Sequence, residues 1–153
     1  MNSSGIFFDS ADLVEFKKWF RTGILGGATT NPVILQNDGV LNVPEHISKM
    51  IEISGKGFPI SIEIPDSEMT ISEMINLALD YDKMFPDNAV IKVPMDPEDP
   101  TKSFEVMNRL SREGVSINAT VGLSMGQLVG AAEALHGSIQ PNYISLFWGR
   151  LCY

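Results

Sequence analysis

Ala89-Val90-Ile91-Lys92-Val93-Pro94-Met95 sets one lysine in the middle of an apolar run of strand-forming residues. A run of this kind reads as a strand buried on both faces, as in parallel sheets. Faces alternate along a strand, so Val90, Lys92 and Pro94 point one way and Ile91 and Val93 the other. An ammonium buried without a partner costs several kcal/mol or more. The fold must therefore pair this lysine or use it. Burial favours the neutral amine of a lysine, which can attack a carbonyl and form a Schiff base. The plain alternative is a lysine at a strand end whose ammonium reaches back to solvent.

Strand and helix patterns alternate on both sides of this stretch. Ile6-Phe7-Phe8 is a short apolar strand ending at Asp9, with Ser10 as a candidate cap for a helix over Ala11 to about Arg21. Ile24 to Thr29 reads as a second strand, weakened by Gly26 and Gly27, and runs into Thr30-Asn31-Pro32. Val33–Leu35 opens a short helical piece, and Val43–Ser54 reads as a helix with Pro44 in its first turn. Pro59–Ile64 is the third strand, and Ser67–Met84 reads as the longest helix. After the lysine strand, a helix is expected over Pro97–Arg112, a fifth strand over Val115–Thr120, a helix capped by Ser124, and a sixth strand at Tyr143–Ser145.

Repeated strand-then-helix units mean a parallel sheet, either doubly wound or closed as a barrel. The strands are apolar along their length and polar at their carboxyl ends: Asp9, Thr30-Asn31, Glu63, Lys92, Asn118 with Thr120, and Ser145. Catalytic residues of a (β/α)8 barrel converge from such positions, one strand at a time. A doubly wound sheet gathers its site at one switch point, usually behind a glycine-rich loop, and no G-x-G-x-x-G or Walker sequence occurs here. The pattern predicts α/β architecture of the TIM-barrel type, with about six βα units in a single domain over residues 1–153. Taken singly, each polar end has a local explanation. Asp9 could cap a helix, Asn31 could form a turn, and Asn118 could satisfy loop amides. Six such ends together, one of them a lysine, favour a site.

Composition bounds the function. The chain has 153 residues with 44% hydrophobic, enough for a proper core. Nineteen acidic against 11 basic residues give a net charge of −8, which argues against nucleic acid and anionic membrane as partners. A local basic pocket for a small anionic substrate is compatible with that balance. Cys152 is the single cysteine, which suits a reducing compartment. No stretch has the length and apolarity of a signal peptide or a membrane span. The expectation is a soluble, cytoplasmic protein.

Five stretches then resemble one family. Phe7-Phe8-Asp9-Ser10-Ala11, Thr29-Thr30-Asn31-Pro32, Ile91-Lys92-Val93-Pro94, Ile117-Asn118-Ala119-Thr120 and Ile144-Ser145-Leu146-Phe147-Trp148-Gly149-Arg150 look like the signatures of transaldolases, in family order and spacing. The resemblance implies a (β/α)8 barrel of the class I aldolase type without metal or organic cofactor. Such enzymes move a dihydroxyacetone unit from a ketose phosphate to an aldose phosphate in the pentose phosphate pathway. It further implies that Lys92 forms the Schiff base, Asp9 shuttles the proton of the breaking bond, and Glu63 acts through a water that Thr120 holds. Thr30, Asn31, Asn118 and Ser145 would bind substrate, Phe147 would wall the pocket, and Arg150 would grip the phosphate.

Fructose 6-phosphate aldolases are close relatives that release free dihydroxyacetone. By the resemblance they carry glutamine in place of Glu63 and tyrosine in place of Phe147, so both positions here read as transaldolase. Departures from the family pattern are Leu146 for a proline, Trp148 for a small aliphatic residue, and Gly122-Leu123-Ser124 for the usual phenylalanine-serine. Family members also continue past the Gly149-Arg150 pair for two more βα units, which would close the barrel and add a second basic group to the phosphate site. Two readings stand: a transaldolase, or a non-catalytic barrel fragment that keeps inherited residues. Intact site residues up to Arg150 favour the enzyme. Small members of the family form rings of subunits through C-terminal elements, so a homo-oligomer is an expectation carried by the resemblance alone.

Overall fold

Six β-strands alternate with helices in the computed structural model, which describes residues 5–65 and 69–151. The strands are β1 (Ile6–Asp9), β2 (Leu25–Thr29), β3 (Ile60–Glu63), β4 (Ala89–Pro94), β5 (Ile117–Gly122) and β6 (Tyr143–Leu146). The helices are α1 (Leu13–Phe20), α2 (Pro32–Asn37), α3 (Val43–Ser54), α4 (Ile71–Met84), α5 (Thr101–Arg112), α6 (Met125–Ala134) and α7 (Trp148–Leu151). Strand order follows chain order, β1-β2-β3-β4-β5-β6. A doubly wound sheet reverses its order at the switch point; an unbroken sequential, parallel order is that of a (β/α)8 barrel. The fold is of that type, with six of its strands among the described residues.

The chain falls into two compact units, one of residues 1–62 and 85–89, the other of 63–84 and 90–153. In the first, β1 runs parallel to β2 with Phe8 opposite Ala28 and Asp9 opposite Thr29, and β2 runs parallel to β3 with Thr29 opposite Ser61. The glycines that weaken β2 on propensity have a packing reason. A Cβ on Gly27 would stand 2.4 Å from the Phe7 ring, so only glycine admits that ring. Phe16 of α1 is fully buried, and its ring lies 5.5 Å from Phe8 and 6.0 Å from Phe58. Ile47 and Met50 of α3 complete this core. Aromatic clusters of this kind bury large apolar areas and add specific edge-to-face contacts.

In the second unit β4 pairs in parallel with β5, from Ile91 opposite Ile117 to Pro94 opposite Thr120, and β5 pairs with β6. Five of the six β4 residues are buried, as the apolar run requires. Val106, Met107 and Leu110 of α5 pack inward, and Gly130 of α6 lets the Phe104 ring approach to where a Cβ would be 2.5 Å away.

Several boundaries differ from the sequence reading. Asp12, not Ser10, caps α1, accepting from the amides of Val14 and Glu15, while Ser10 Oγ accepts from Asp12 N–H. The helix expected from Pro97 starts only at Thr101, because the Asp96 carboxylate takes the Glu98 and Asp99 amides into a turn and Pro100 closes it. The helix expected from Ser67 is α4, starting at Ile71 behind a capping box in which Thr70 and Glu73 exchange bonds; residues 66–68 lie outside the described residues. The fifth strand is shifted two residues towards its carboxyl end. Ser124 caps α6 as expected. Cys152 lies outside the described residues.

Candidate active site

Lys92 sits at the fourth position of β4, with only 6% of its surface exposed. Its Nζ lies 3.0 Å from Oε2 of Glu63, the last residue of β3. The Ile64 amide donates to the Lys92 carbonyl, which fixes the two strand ends side by side. The fold thus pairs the lysine instead of letting it reach solvent. The pair is unequal in burial: the Glu63 side chain keeps 18% exposure against 7% for the lysine. An amine and a carboxylate at this distance, largely withdrawn from water, can pass a proton between them and act on a carbonyl.

The next strand supplies Asn118 and Thr120, two apart and both buried, opposite Lys92 and Pro94 respectively. The Ser145 hydroxyl of β6 donates to Asn118 Oδ1 at 2.8 Å. The Thr120 Oγ1 is buried with no hydrogen-bond partner. Buried hydroxyls are normally satisfied, so an orphan marks a place where a water or ligand atom belongs. Phe147 follows β6, and the Arg150 guanidinium carbon lies 5.2 Å from its ring centroid, a cation–π contact that leaves the guanidinium exposed. Burial also raises the Tyr143 phenol above its ordinary value, so it stays protonated.

The first unit carries its own polar strand ends. Asp9 ends β1, and Thr29 Oγ1 donates to its Oδ1 at 2.6 Å, so the carboxylate is held by the neighbouring strand and caps no helix. Thr30 is fully buried and its hydroxyl donates to the Ser61 carbonyl. Asn31 caps α2, its Oδ1 accepting from Ile34 N–H at 2.8 Å; the cap uses the oxygen alone. Among the described residues no group of three or more His, Cys, Asp and Glu stands ready to hold a metal ion.

Sequence reading missed two features of these strand ends. Thr29, which orients Asp9, is visible only once β1 and β2 are in register. Val121 adopts φ 61 at the end of β5, where a glycine or asparagine would have been the sequence signal.

Comparison with known proteins bears on the chain as a whole. The transaldolase/fructose-6-phosphate aldolase family matches residues 6–152. A probable transaldolase of Dehalococcoides mccartyi is 33% identical over 146 residues, covering 95% of this chain and 62% of that protein. One from Streptococcus agalactiae is 33% identical over 145 residues, covering 95% and 60%. One from Kosmotoga olearia is 34% identical over 148 residues, again covering 95% and 60%. The chain spans about three fifths of the length of these relatives. A match that runs from β1 to the end of α7, over a sequential parallel β/α order, places the chain within the transaldolase/fructose-6-phosphate aldolase family.

Proposed function

We propose that the protein is a transaldolase working through a Schiff base on Lys92. The observation that carries the reading is the buried Lys92–Glu63 pair, 3.0 Å apart at adjoining strand ends. In this reading the Lys92 amine attacks the ketone carbon of a ketose phosphate, fructose 6-phosphate or sedoheptulose 7-phosphate. Glu63, through a water held by Thr120, delivers the proton with which the carbinolamine hydroxyl leaves as water. The iminium then accepts the electron pair of the adjoining carbon–carbon bond as it breaks. Asp9 takes the proton of the hydroxyl on the departing carbon, and the aldose leaves as an aldehyde. The three-carbon enamine left on Lys92 attacks an acceptor, erythrose 4-phosphate or glyceraldehyde 3-phosphate. Asp9 returns its proton to the new alkoxide, and hydrolysis frees the lysine.

Asn118, held by Ser145, offers its amide to substrate hydroxyls, with Asn31 and Thr30 in the same role. Phe147 walls the pocket, and Arg150 pairs with the substrate phosphate. The partners are sugar phosphates and neither nucleic acid nor membrane, in the cytoplasm and in the pentose phosphate pathway. No helix among the described residues is long and apolar enough to cross a membrane. Glu63 and Phe147, in place of glutamine and tyrosine, support transfer over simple aldol release.

The test is incubation with fructose 6-phosphate and borohydride, followed by peptide mass mapping, with turnover measured with and without erythrose 4-phosphate. Label on Lys92 and turnover that needs the acceptor are expected. Label on Lys83 or Lys102 would overturn the assignment of the lysine. Rapid release of dihydroxyacetone without an acceptor would make the protein an aldolase.

A further inference from the structure

Val121 is the one non-glycine residue with positive φ among the described residues, at φ 61. A β-branched side chain in the left-handed region is strained, and such strain persists only where surrounding structure imposes it. The register shows what imposes it. Ala119 pairs with Ile144 and Gly122 with Leu146, so β5 takes three steps where β6 takes two. One extra residue is therefore inserted, a bulge on the β6 side of the strand. On the β4 side pairing is regular through Thr120, whose carbonyl accepts from Met95 N–H at 2.9 Å. The bulge thus begins immediately after the orphan hydroxyl.

The bulge carries the end of β5 one residue further along β6. It brings the Gly122 carbonyl to 2.8 Å from Phe147 N–H. Gly122 has no room for a side chain, since a Cβ would meet Ser145 O at 2.8 Å and Leu128 Cδ2 at 2.6 Å. Phe147 in turn holds Arg150 twice, accepting its backbone amide at 3.0 Å and lying 5.2 Å from its guanidinium carbon.

We propose that the Val121 bulge is a positioning device for the anionic end of the substrate: the left-handed turn at Val121 sets Gly122, Gly122 sets Phe147, and Phe147 sets the phosphate-binding guanidinium of Arg150. The proposal rests on the phosphate role of Arg150 in the function proposed above. The backbone conformation at 121 is what matters, and the valine side chain is incidental. Asparagine, which tolerates the left-handed region, should then be accepted, proline, barred from it, should not, and glycine, which adopts it but does not hold it, should be accepted only in part.

The experiment compares Val121→Asn, Val121→Gly and Val121→Pro in two assays. One is binding of glucitol 6-phosphate, a sugar phosphate with no carbonyl. The other is borohydride trapping of phosphate-free dihydroxyacetone on Lys92. Val121→Asn should match the parent in both. Val121→Pro, fixed near φ −65, should bind glucitol 6-phosphate about tenfold or more weakly, the scale of a misplaced charge-assisted contact, and trap dihydroxyacetone at the parent rate. Val121→Gly, free of strain and free to wander, should lose about threefold in the first assay alone. If the proline variant does not fold, the glycine variant decides. Unchanged glucitol 6-phosphate binding in a folded proline or glycine variant, a parallel fall in both assays, or a parent that does not bind this probe would each overturn the proposal. A parent that binds the probe but traps nothing on Lys92 would instead overturn the Schiff-base reading and leave the bulge standing.

Discussion

Removing Lys92 should cost the fold little, whereas removing Glu63 should cost it much. The two atoms stand 3.0 Å apart, with the lysine side chain 7% and the glutamate side chain 18% exposed. Breaking a buried ion pair by deleting one partner typically costs about 3–5 kcal/mol, because a charge is left uncompensated, whereas replacing both by apolar groups is often neutral or stabilising. Glu63→Leu removes the ion-pair partner of the more buried group and belongs at the larger figure. Lys92→Met leaves the carboxylate, which has more access to water, and belongs nearer about 1–2 kcal/mol. Lys92→Met with Glu63→Leu should return to near the parent stability. With a urea slope of roughly 2 kcal/mol/M, the single changes move the unfolding midpoint by about 2 M and less than about 1 M respectively. Urea unfolding followed by tryptophan fluorescence on all four proteins closes the double-mutant cycle. If Lys92→Met destabilised as much as Glu63→Leu, and the double change more than either, the pair would be holding the fold. The reason for reading the lysine as kept for chemistry would then be gone.

Asp9→Asn should still trap substrate on Lys92 yet lose about 10²–10⁴ in cleavage, the usual worth of a lost proton transfer; equal, mild effects of this change and Glu63→Gln would show the acid–base roles misplaced. Thr120→Val removes a buried hydroxyl without a partner, so the melting temperature should rise by about 2–4 °C, the equivalent of about 1 kcal/mol, while Schiff-base formation slows; a lower melting temperature would mean the hydroxyl is satisfied after all. His46 is held below the ordinary histidine value first by burial, with the Ala11 carbonyl and Asp38 opposing and Lys49 reinforcing. A depressed folded value means that the unfolded chain takes up the proton first as pH falls through about 6.5, so stability should drop below that pH, and in His46→Asn the drop should be smaller. Urea midpoints at several pH values check this, and identical curves for the two proteins would refute it.

The fold class was legible because its signals are local: an apolar run, a helical stripe, a polar residue where each strand ends. Asn118 and Thr120 could be placed on one face of a strand from spacing alone, and Ser124 could be named as a cap. Contacts made only in register were not legible. Nothing near Asp9 in sequence says that Thr29 will hold it, and nothing in Leu25–Thr29 says that Gly27 makes room for Phe7 and Gly26 for the backbone of Gly5. Start signals also competed. Ser10 and Asp12 both qualify as caps, and the carboxylate, better placed for two amides, took the role. The run from Asp96 to Pro100 offers helix formers, but a turn closed by the Asp96 side chain satisfies those amides first. The Asn31 oxygen serves a helix cap, where its bland reading has a turn, so the proposed substrate contact is compatible with the helix start only because an amide has two ends.

Three departures from local rules meet at the carboxyl ends of β4 and β5. Lys92 is an ion where strand packing asks for a hydrocarbon, Thr120 carries a buried hydroxyl with no partner, and Val121 holds a backbone angle its side chain opposes. None helps the fold. The ion needs Glu63 to offset it, the hydroxyl gains nothing from burial, and the bulge interrupts a ladder that is regular on its other side. Elsewhere in the same unit the local rules agree with one another: Ser124 caps its helix, Gly130 clears the Phe104 ring, and Ile91, Val93, Ile117 and Ala119 fill the strands. Consistency in the rest of this unit is what a sequence shaped by a site looks like, because a requirement from outside the fold keeps three unfavourable choices together. The three departures support the proposed site without reference to any relative, and they include the lysine that the family resemblance marks. They also favour the proposed enzyme over a non-catalytic fragment. A barrel fragment kept only for its shape would gain stability by replacing Lys92 together with Glu63, and also Thr120, with apolar residues and by relaxing Val121 to glycine or asparagine, and the sequence has taken none of these steps.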